Sequence, residues 1–308
     1  MSVQNTLRSP VAFSGVGLHS GAPVRMVVRP ASADYGLWFR RMDVTTGDPM
    51  VPARWDAVVS SSLCTEVANA ADHRVSTIEH LMAALAGCGI HNALIEIDAA
   101  EVPILDGSAI PFVARFLRAG LRPQSAPVRA LRILSPVEVR EGEAFARIEP
   151  SEMLEIDFRI SFSEPMIGDQ HKRLSMANGA FVRELCDSRT FCLQADVDTM
   201  RARGLARGGN YGNAVVFDGG RVLSPGGLRH GDEPVRHKML DALGDLALAG
   251  GPILGRYTGV RAGHALTNRL LRAVFAHDSA WVWTDCTRPT GSKLPGVGVV
   301  AADVPRVA

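Results

Sequence analysis

Two short segments, far apart in the chain, contain residue types that could bind a metal ion and activate water. His237 and Asp241 lie four residues apart in EPVRHKMLDALGDLALAG, a segment with the pattern of an amphipathic helix. This spacing places both side chains on one helix face, one turn apart. His80, in STIEHLMAALAG, would add a third ligand from a second helix. Three protein ligands leave one zinc position open, as in catalytic zinc sites.

Each of these residues also has a simpler interpretation. Glu79 is a candidate base for a water molecule, but Ser76-Thr-Ile-Glu79 has the spacing of a capping box, in which Glu79 would bond the Ser76 amide. His237 and Asp241 could form a surface pair at i, i+4, worth about 0.2–0.5 kcal/mol. If a metal binds, two imidazoles and a carboxylate suit Zn²⁺, although Fe²⁺ is also compatible with these ligand types.

The two candidate ligand helices occupy equivalent places in a repeated order of elements. In the first half, β-rich segments such as PVRMVVRP precede a helix over 77–87, the strand HNALIEIDA and a helix in IPFVARFLRAG. In the second half, strands such as LEIDFRISF precede a helix over 233–249, the strand GRYTGVRA and the helix HALTNRLLRAVFA. We interpret this order as a structural duplication of an α+β unit.

The repeat predicts two domains. RPQSAP, within 122–128, has the composition of a linker. We therefore expect one domain over 1–124 and a second over 128–308. Two segments do not fit the repeat and are expected to be insertions, at about 48–74 in the first domain and about 181–220 in the second. Insertions beside a rigid scaffold are common places for substrate contacts.

Composition excludes several other classes of protein. The 308 residues carry 33 basic and 32 acidic side chains, without the basic excess of a nucleic-acid-binding protein. No apolar run has the length of a membrane span, and the N-terminus lacks a signal-peptide core, so we expect a cytoplasmic protein. Five cysteines without CxxC spacing argue against a disulfide framework. We expect a monomer.

Several motifs together resemble a known family. The motifs STIEHLMAALAGCGIHNALIEI, VPILDGSAIPF, DSRTF, RGLARGGN, EPVRHKMLDALGDL and AGHALTNRLL are similar to those of UDP-3-O-acyl-N-acetylglucosamine deacetylases, the LpxC-type zinc amidases of lipid A biosynthesis. The resemblance implies two domains, each a β-sheet packed on a helix layer, with the helix layers facing each other. It also implies removal of the N-acetyl group from UDP-3-O-(3-hydroxyacyl)-N-acetylglucosamine, with release of acetate.

The resemblance also assigns roles to individual residues. It makes His80, His237 and Asp241 the zinc ligands and Glu79 the base. It implies that a protonated His264 stabilises the oxyanion and protonates the leaving amine, with Asp245 keeping its imidazole charged. Thr190 corresponds to a residue that donates to the oxyanion. The implied substrate contacts are Lys238, Phe191, Asp196 and Arg261.

One position departs from the family pattern. Cys192 stands where a glycine is expected after Phe191, which predicts a narrower pocket. Leu193, Val197 and Met200 could line a passage for the acyl chain or could equally be core contacts.

Two functions are alternatives to the implied one: a zinc amidase acting on a different acylated amino sugar, and a binding protein without catalytic activity. The second is disfavoured because all the implied reacting residues are present.

Overall fold

The computed structural model describes residues 1–59 and 63–307, so residues 60–62 of the first predicted insertion lie outside the described part. The first half contains two helices, α1 (Glu79–Gly87) and α2 (Ile110–Ala119). Its strands are β1 (Val3–Leu7), β2 (Val11–Val16), β3 (Pro23–Pro30), β4 (Leu37–Arg41), β5 (Met50–Pro52), β6 (Val58–Val59), β7 (Glu66–Ala68), β8 (Arg74–Val75), β9 (Ala93–Ile97) and β10 (Leu121–Pro127).

The second half contains four helices, α3 (Gln194–Ala202), α4 (Glu233–Ala247), α5 (His264–Phe275) and α6 (Arg288–Gly291), within the described residues. A π-helical turn lies at Phe181–Leu185. The strands of this half are β11 (Arg129–Ile133), β12 (Val137–Glu141), β13 (Ala144–Glu149), β14 (Leu154–Ser161), β15 (Asp169–Ser175), β16 (Phe191–Leu193), β17 (Val215–Asp218), β18 (Arg221–Val222), β19 (Ile253–Val260) and β20 (Trp281–Asp285).

Each half has one main sheet with helices packed against it. In the first half the strand order is β2-β3-β9-β4-β5. Alternate residues of β3 are buried, as expected for a strand with one face on the core, and the rings of Phe112 and Phe116 on α2 contact Phe13 on β2. In the second half, β12-β13-β19-β11-β20 form the path of a larger sheet that β14 and β15 extend. The predicted α+β class is confirmed.

The helices of the two halves meet at α1 and α4. Gly244 on α4 lies against α1 so closely that a Cβ atom there would stand 2.0 Å from the carbonyl oxygen of Glu79. A glycine is therefore required at this position for the two helix backbones to approach. The contact brings the first turn of α1, with Glu79 and His80, onto the face of α4 that carries His237 and Asp241.

Gly244→Ala should destabilise the fold through this contact. The added methyl group would force the two helices apart, and overpacking of this kind costs about 1–3 kcal/mol or more. Equilibrium unfolding in urea measures the loss. Gly231→Ala is the matched control, because a Cβ atom at Gly231 meets no heavy atom within 4 Å, and its free energy of unfolding should stay within about 0.5 kcal/mol of the unmodified protein. Equal effects of the two substitutions would contradict the close approach.

Three details of the sequence prediction need correction. The segment 122–128 is largely strand rather than linker, because β10 pairs antiparallel with β1 from the start of the chain. The domain division at this point stays a prediction. The helix predicted from residue 77 begins at Glu79, because Thr77 has a positive φ of 55° that an α-helix does not allow. The helix predicted over 233–249 ends at Ala247.

Within the described residues, none of the helices combines the length and the apolar character that crossing a membrane would require.

Candidate active site

Three side chains from the two facing helices converge on one point. The candidate ligand atoms of His80, His237 and Asp241 all lie within 4.8 Å of one another. Oδ1 of Asp241 is 3.3 Å from Nε2 of His237 and 3.5 Å from Nε2 of His80. All three residues are buried. Residues more than 150 positions apart in the sequence are thus grouped in space, as the predicted metal site requires.

The chemistry of this group fits a metal ion. Oδ1 of Asp241 is buried and has no hydrogen-bond partner among the described residues, which is costly for a carboxylate unless a cation satisfies it. Nδ1 of His237 lies 3.0 Å from the carbonyl oxygen of Ser188, so its N–H can donate there and leave Nε2 free to coordinate. Burial lowers the pKa of His237 to about 4, so its ring is neutral near pH 7, as a ligand must be.

Lys238 and His237 set the charge state of the third ligand. Nζ of Lys238 donates to Oδ2 of Asp241 at 2.7 Å. Burial opposes ionisation of Asp241, but His237 and Lys238 outweigh it and hold the pKa of the carboxyl well below its usual range. Burial also disfavours the charged form of Lys238, yet the Asp241 carboxylate raises the pKa of this lysine overall. Both groups are therefore charged near pH 7.

Glu79 faces the candidate metal site and is not a helix cap. Its Oε2 accepts a hydrogen bond from the Thr65 amide at 3.0 Å, and its Oε1 lies 3.8 Å from Nε2 of His264. The Ser76 hydroxyl instead donates to the carbonyl of Ala100 at 3.1 Å. The capping-box alternative is therefore wrong, because α1 begins only at Glu79 and the Ser76 amide donates to the carbonyl of Ala100 rather than to Glu79. Burial raises the pKa of Glu79, which suits a base that must accept a proton.

His264, the first residue of α5, pairs with Asp245 on α4. Nδ1 of His264 is 2.9 Å from Oδ2 of Asp245. Burial lowers the pKa of this imidazole, but the negative charges of Asp245 and Glu79 more than compensate and raise it to about 9. The ring is therefore protonated near pH 7, with Nδ1–H directed at Asp245 and Nε2–H facing the site. This is the arrangement that the resemblance implied for the pair.

Two supporting residues were missed by the sequence analysis. The Thr65 hydroxyl donates to Oδ1 of Asp245 at 2.5 Å, while its amide holds Glu79. Nδ2 of Asn268 in turn donates to the Thr65 hydroxyl at 3.2 Å. Thr65 therefore links the candidate base to the partner of the candidate acid. Asn268 could have been suspected, since it lies four residues after His264 on the same helix face. Thr65 gave no comparable signal.

A cavity of about 920 Å³ opens onto these groups. Phe191, Asp196 and Lys238, three of the four implied substrate contacts, line it, and so does Thr190, the implied oxyanion donor. The Phe191 ring packs edge-on against His237, with centroids 6.3 Å apart. Arg261 lies outside this lining as the described residues define it. Its guanidinium donates instead to Glu143 at 2.6 Å and to Ser161 at 3.1 Å.

Much of the cavity lining is apolar. Leu193, Val197 and Met200 all line the cavity. Val197 and Met200 lie on α3, where no residue is buried, so the passage alternative is favoured for these two. Leu193 lies just before α3, is partly buried and also packs against the hydrophobic core, so both alternatives stay open for it. Cys192 on β16 also lines the cavity, where its side chain takes up space that a glycine would leave open. Burial raises the pKa of its thiol to about 11, so it is uncharged near pH 7.

Comparison with known proteins identifies the family. A family model described as UDP-3-O-acyl N-acetylglycosamine deacetylase matches residues 4–276. The UDP-3-O-acyl-N-acetylglucosamine deacetylase of Phenylobacterium zucineum (strain HLK1) is 51% identical over 278 residues, which cover 90% of this chain and 95% of that protein. The protein of the same name from Xanthomonas campestris pv. campestris (strain 8004) is 46% identical over 302 residues, covering 96% and 97%.

A third relative, from Anaeromyxobacter sp. (strain Fw109-5), has the same name and is 48% identical over 273 residues, covering 89% of this chain and 88% of that protein. The range matched by the family model covers both halves of the fold and the positions grouped at the candidate active site. The family predicted from the sequence motifs is confirmed: the chain belongs to the UDP-3-O-acyl N-acetylglycosamine deacetylase family.

Proposed function

We propose that this protein is a zinc-dependent amidohydrolase that removes the N-acetyl group from UDP-3-O-(3-hydroxyacyl)-N-acetylglucosamine and releases acetate in lipid A biosynthesis. The observation that carries the proposal is that the Glu79 carboxyl, the His264 imidazole paired with Asp245 and the His-His-Asp set all line one largely apolar cavity. Such a site can hydrolyse a small amide while an acyl chain occupies the remaining cavity.

His80, His237 and Asp241 would hold the metal ion. When bound, the ion supplies a Lewis acid that polarises the acetamide carbonyl and makes water more acidic. Zinc is our choice because three protein ligands of these types, with a position left open, are typical of catalytic zinc sites. Fe²⁺ would suit the same ligand atoms, and metal analysis of the purified protein separates the two.

The remaining groups would move protons and stabilise charge. Glu79 takes a proton from the water that attacks the acetamide carbon. The oxygen that gains negative charge receives a hydrogen bond from the Thr190 hydroxyl and the positive charge of His264. His264 then gives its Nε2 proton to the departing amine, while Asp245 keeps the imidazole oriented and charged.

The cavity lining supports three substrate contacts. Lys238 carries the positive charge suited to a diphosphate, Phe191 offers an aromatic face to the sugar or acyl chain, and Asp196 lies along the same wall. Arg261 would first have to leave Glu143 and Ser161. A monomeric state and a cytoplasmic location stay predictions, which size-exclusion chromatography and cell fractionation test.

Acetate release tests the proposed function. Purified protein with one zinc ion per chain should release acetate from UDP-3-O-(3-hydroxyacyl)-N-acetylglucosamine, and much more slowly from the same sugar nucleotide without its acyl chain. Testing several acyl lengths measures the range of chains that the cavity accepts. Activity that appears only with another acylated amino sugar would favour the alternative substrate. A purified protein that contains no zinc and shows no turnover would instead favour the alternative that this chain is a binding protein without catalytic activity.

Asp245→Asn should move the alkaline limb of the pH profile to lower pH. His264 must carry a proton to act as an acid, so activity falls as pH rises through its pKa, which is about 9 before the added influence of a metal cation. A bound cation lowers this value, and loss of the Asp245 charge lowers it further. The dependence of kcat/KM on pH measures the shift. An unchanged alkaline limb would show that His264 is not the group that titrates there.

A further inference from the structure

A buried ion pair lies at the start of α4, beside the site but outside the reacting groups. Nε of Arg189 is 2.9 Å from Oε1 of Glu233, and Nη2 of Arg189 is 3.1 Å from Oε2. The two residues are 7% and 1% exposed. Burying two charges is expensive, so such a pair tolerates little change in geometry without a large loss.

The Glu233 carboxylate also accepts hydrogen bonds from backbone amides, in addition to those from the Arg189 guanidinium. Oε1 also accepts from the backbone amide of Arg189 at 2.9 Å, and Oε2 accepts from the backbone amide of Arg229 at 2.7 Å. Nη2 of Arg189 additionally donates to the carbonyl of Gly227 at 2.7 Å. Glu233 thus fixes both the backbone and the side chain of Arg189 to the first turn of α4.

The residues on either side of Arg189 face the candidate active site. The carbonyl of Ser188 accepts from Nδ1 of His237 and so determines which imidazole nitrogen is left for coordination. Thr190 lines the cavity, and its amide donates to the carbonyl of Gly107 at 2.8 Å. A shift of the segment from Ser188 to Thr190 would therefore displace an outer contact of a candidate ligand and a candidate oxyanion donor together.

We propose that Glu233, through its clamp on Arg189, is a positioning residue that orients His237 for metal binding and Thr190 for the reaction. The proposal rests on the metal site of the proposed function. It differs from a purely structural role because His237 lies one helical turn after Glu233, so both side chains are on the same face of α4. Glu233 bonds Arg189, and His237 bonds the preceding residue, Ser188.

The test measures zinc affinity as well as turnover. Glu233→Gln keeps the size of the side chain but removes the charge and turns one of its two acceptor oxygens into a donor. Arg189→Lys is milder, because the backbone amide contact to Glu233 stays, while the two-pronged side-chain contact to Glu233 and the Nη2 contact to Gly227 are lost. Asp232→Asn is the matched control: Asp232 is the adjacent acid and pairs with Lys172 and Arg236, away from Ser188.

For each protein, the zinc dissociation constant is measured by competition with a chelator, the melting temperature without metal by calorimetry, and kcat and KM by acetate release. Loss of an outer contact to a metal ligand typically costs about 10- to 100-fold in metal affinity or activity. We expect an effect of that size on zinc affinity and kcat for Glu233→Gln, a smaller one for Arg189→Lys, and less than about threefold for Asp232→Asn.

Two outcomes would overturn the proposal. If Glu233→Gln and Arg189→Lys lower the melting temperature but leave zinc affinity within threefold of the unmodified protein, the ion pair has a structural role alone. If Asp232→Asn reduces zinc affinity as much as Glu233→Gln, the effect comes from charge at the helix start and not from the clamp. If the unmodified protein binds no zinc, the proposed function itself is overturned. That failure is distinct from the two outcomes above, which concern only the variants.

Discussion

Glu79→Gln should lower kcat by about 100- to 10,000-fold while the purified protein keeps one zinc ion per chain, since loss of a general base has effects of this size. Glutamine has nearly the same shape and can still accept from the Thr65 amide, so the fold and the ligand set should be preserved. It cannot take a proton from water at neutral pH. Steady-state kinetics of acetate release, with zinc content measured on the same samples, checks the result.

Glu66→Gln is a suitable control for this substitution. Glu66 lies on β7 in the same half, and its carboxylate pairs with Arg74 at the surface rather than facing the cavity. The kcat of the Glu66→Gln protein should stay close to that of the unmodified protein. A Glu79→Gln protein that keeps near-native kcat would remove Glu79 from the mechanism and leave the base to be sought elsewhere.

His237→Ala should remove the metal ion and the activity together. Only His80 and Asp241 would remain as ligands, and two ligands at this site would no longer hold the ion against dialysis with a mild chelator. The expected zinc content falls from about one per chain to a small fraction, and turnover falls in proportion to it. Metal analysis by mass spectrometry and the acetate assay are run on the same preparation.

His171→Ala is the control, because it removes an imidazole that lies outside the candidate metal site. His171 lies on β15, where its ring pairs with Asp157 and is about half exposed. This variant should keep both its zinc and its turnover. If His237→Ala retained stoichiometric zinc, the ion would be bound elsewhere, and the grouping with His80 and Asp241 would need another explanation.

Local spacing and motifs were sufficient to predict the centre of the site. The i, i+4 relation of His237 and Asp241 fixes their common face whatever the rest of the fold does. Placing His80 against them was a hypothesis from its residue type and the repeated order of elements, which the family resemblance then supported, because nothing in the spacing specifies which helix packs on α4. Gly244 shows why: its importance lies in a contact with Glu79, a residue 165 positions earlier in the chain.

The errors share a physical cause. Ser76 and Glu79 have capping-box spacing, but their side chains bond residues that are remote in sequence. The Ser76 hydroxyl donates to the Ala100 carbonyl, and the Glu79 carboxylate accepts from the Thr65 amide. RPQSAP has linker composition, yet it belongs to β10, and three of its six residues pair with β1 from the opposite end of the first half. Arg189 and Glu233 were missed for the same reason, since a contact across 44 positions has no local pattern.

The division of the ligand set between α1 and α4 has a consequence for stability. His80 belongs to the first half of the chain, and His237 and Asp241 to the second, so a metal ion held by all three would be linked to the contact between α1 and α4. A free ion concentration 100 times the dissociation constant would stabilise the form that binds the ion by about 2.7 kcal/mol. Removal of the ion would then weaken the contact between the two helices, and the rate of proteolysis would rise as the free metal concentration falls.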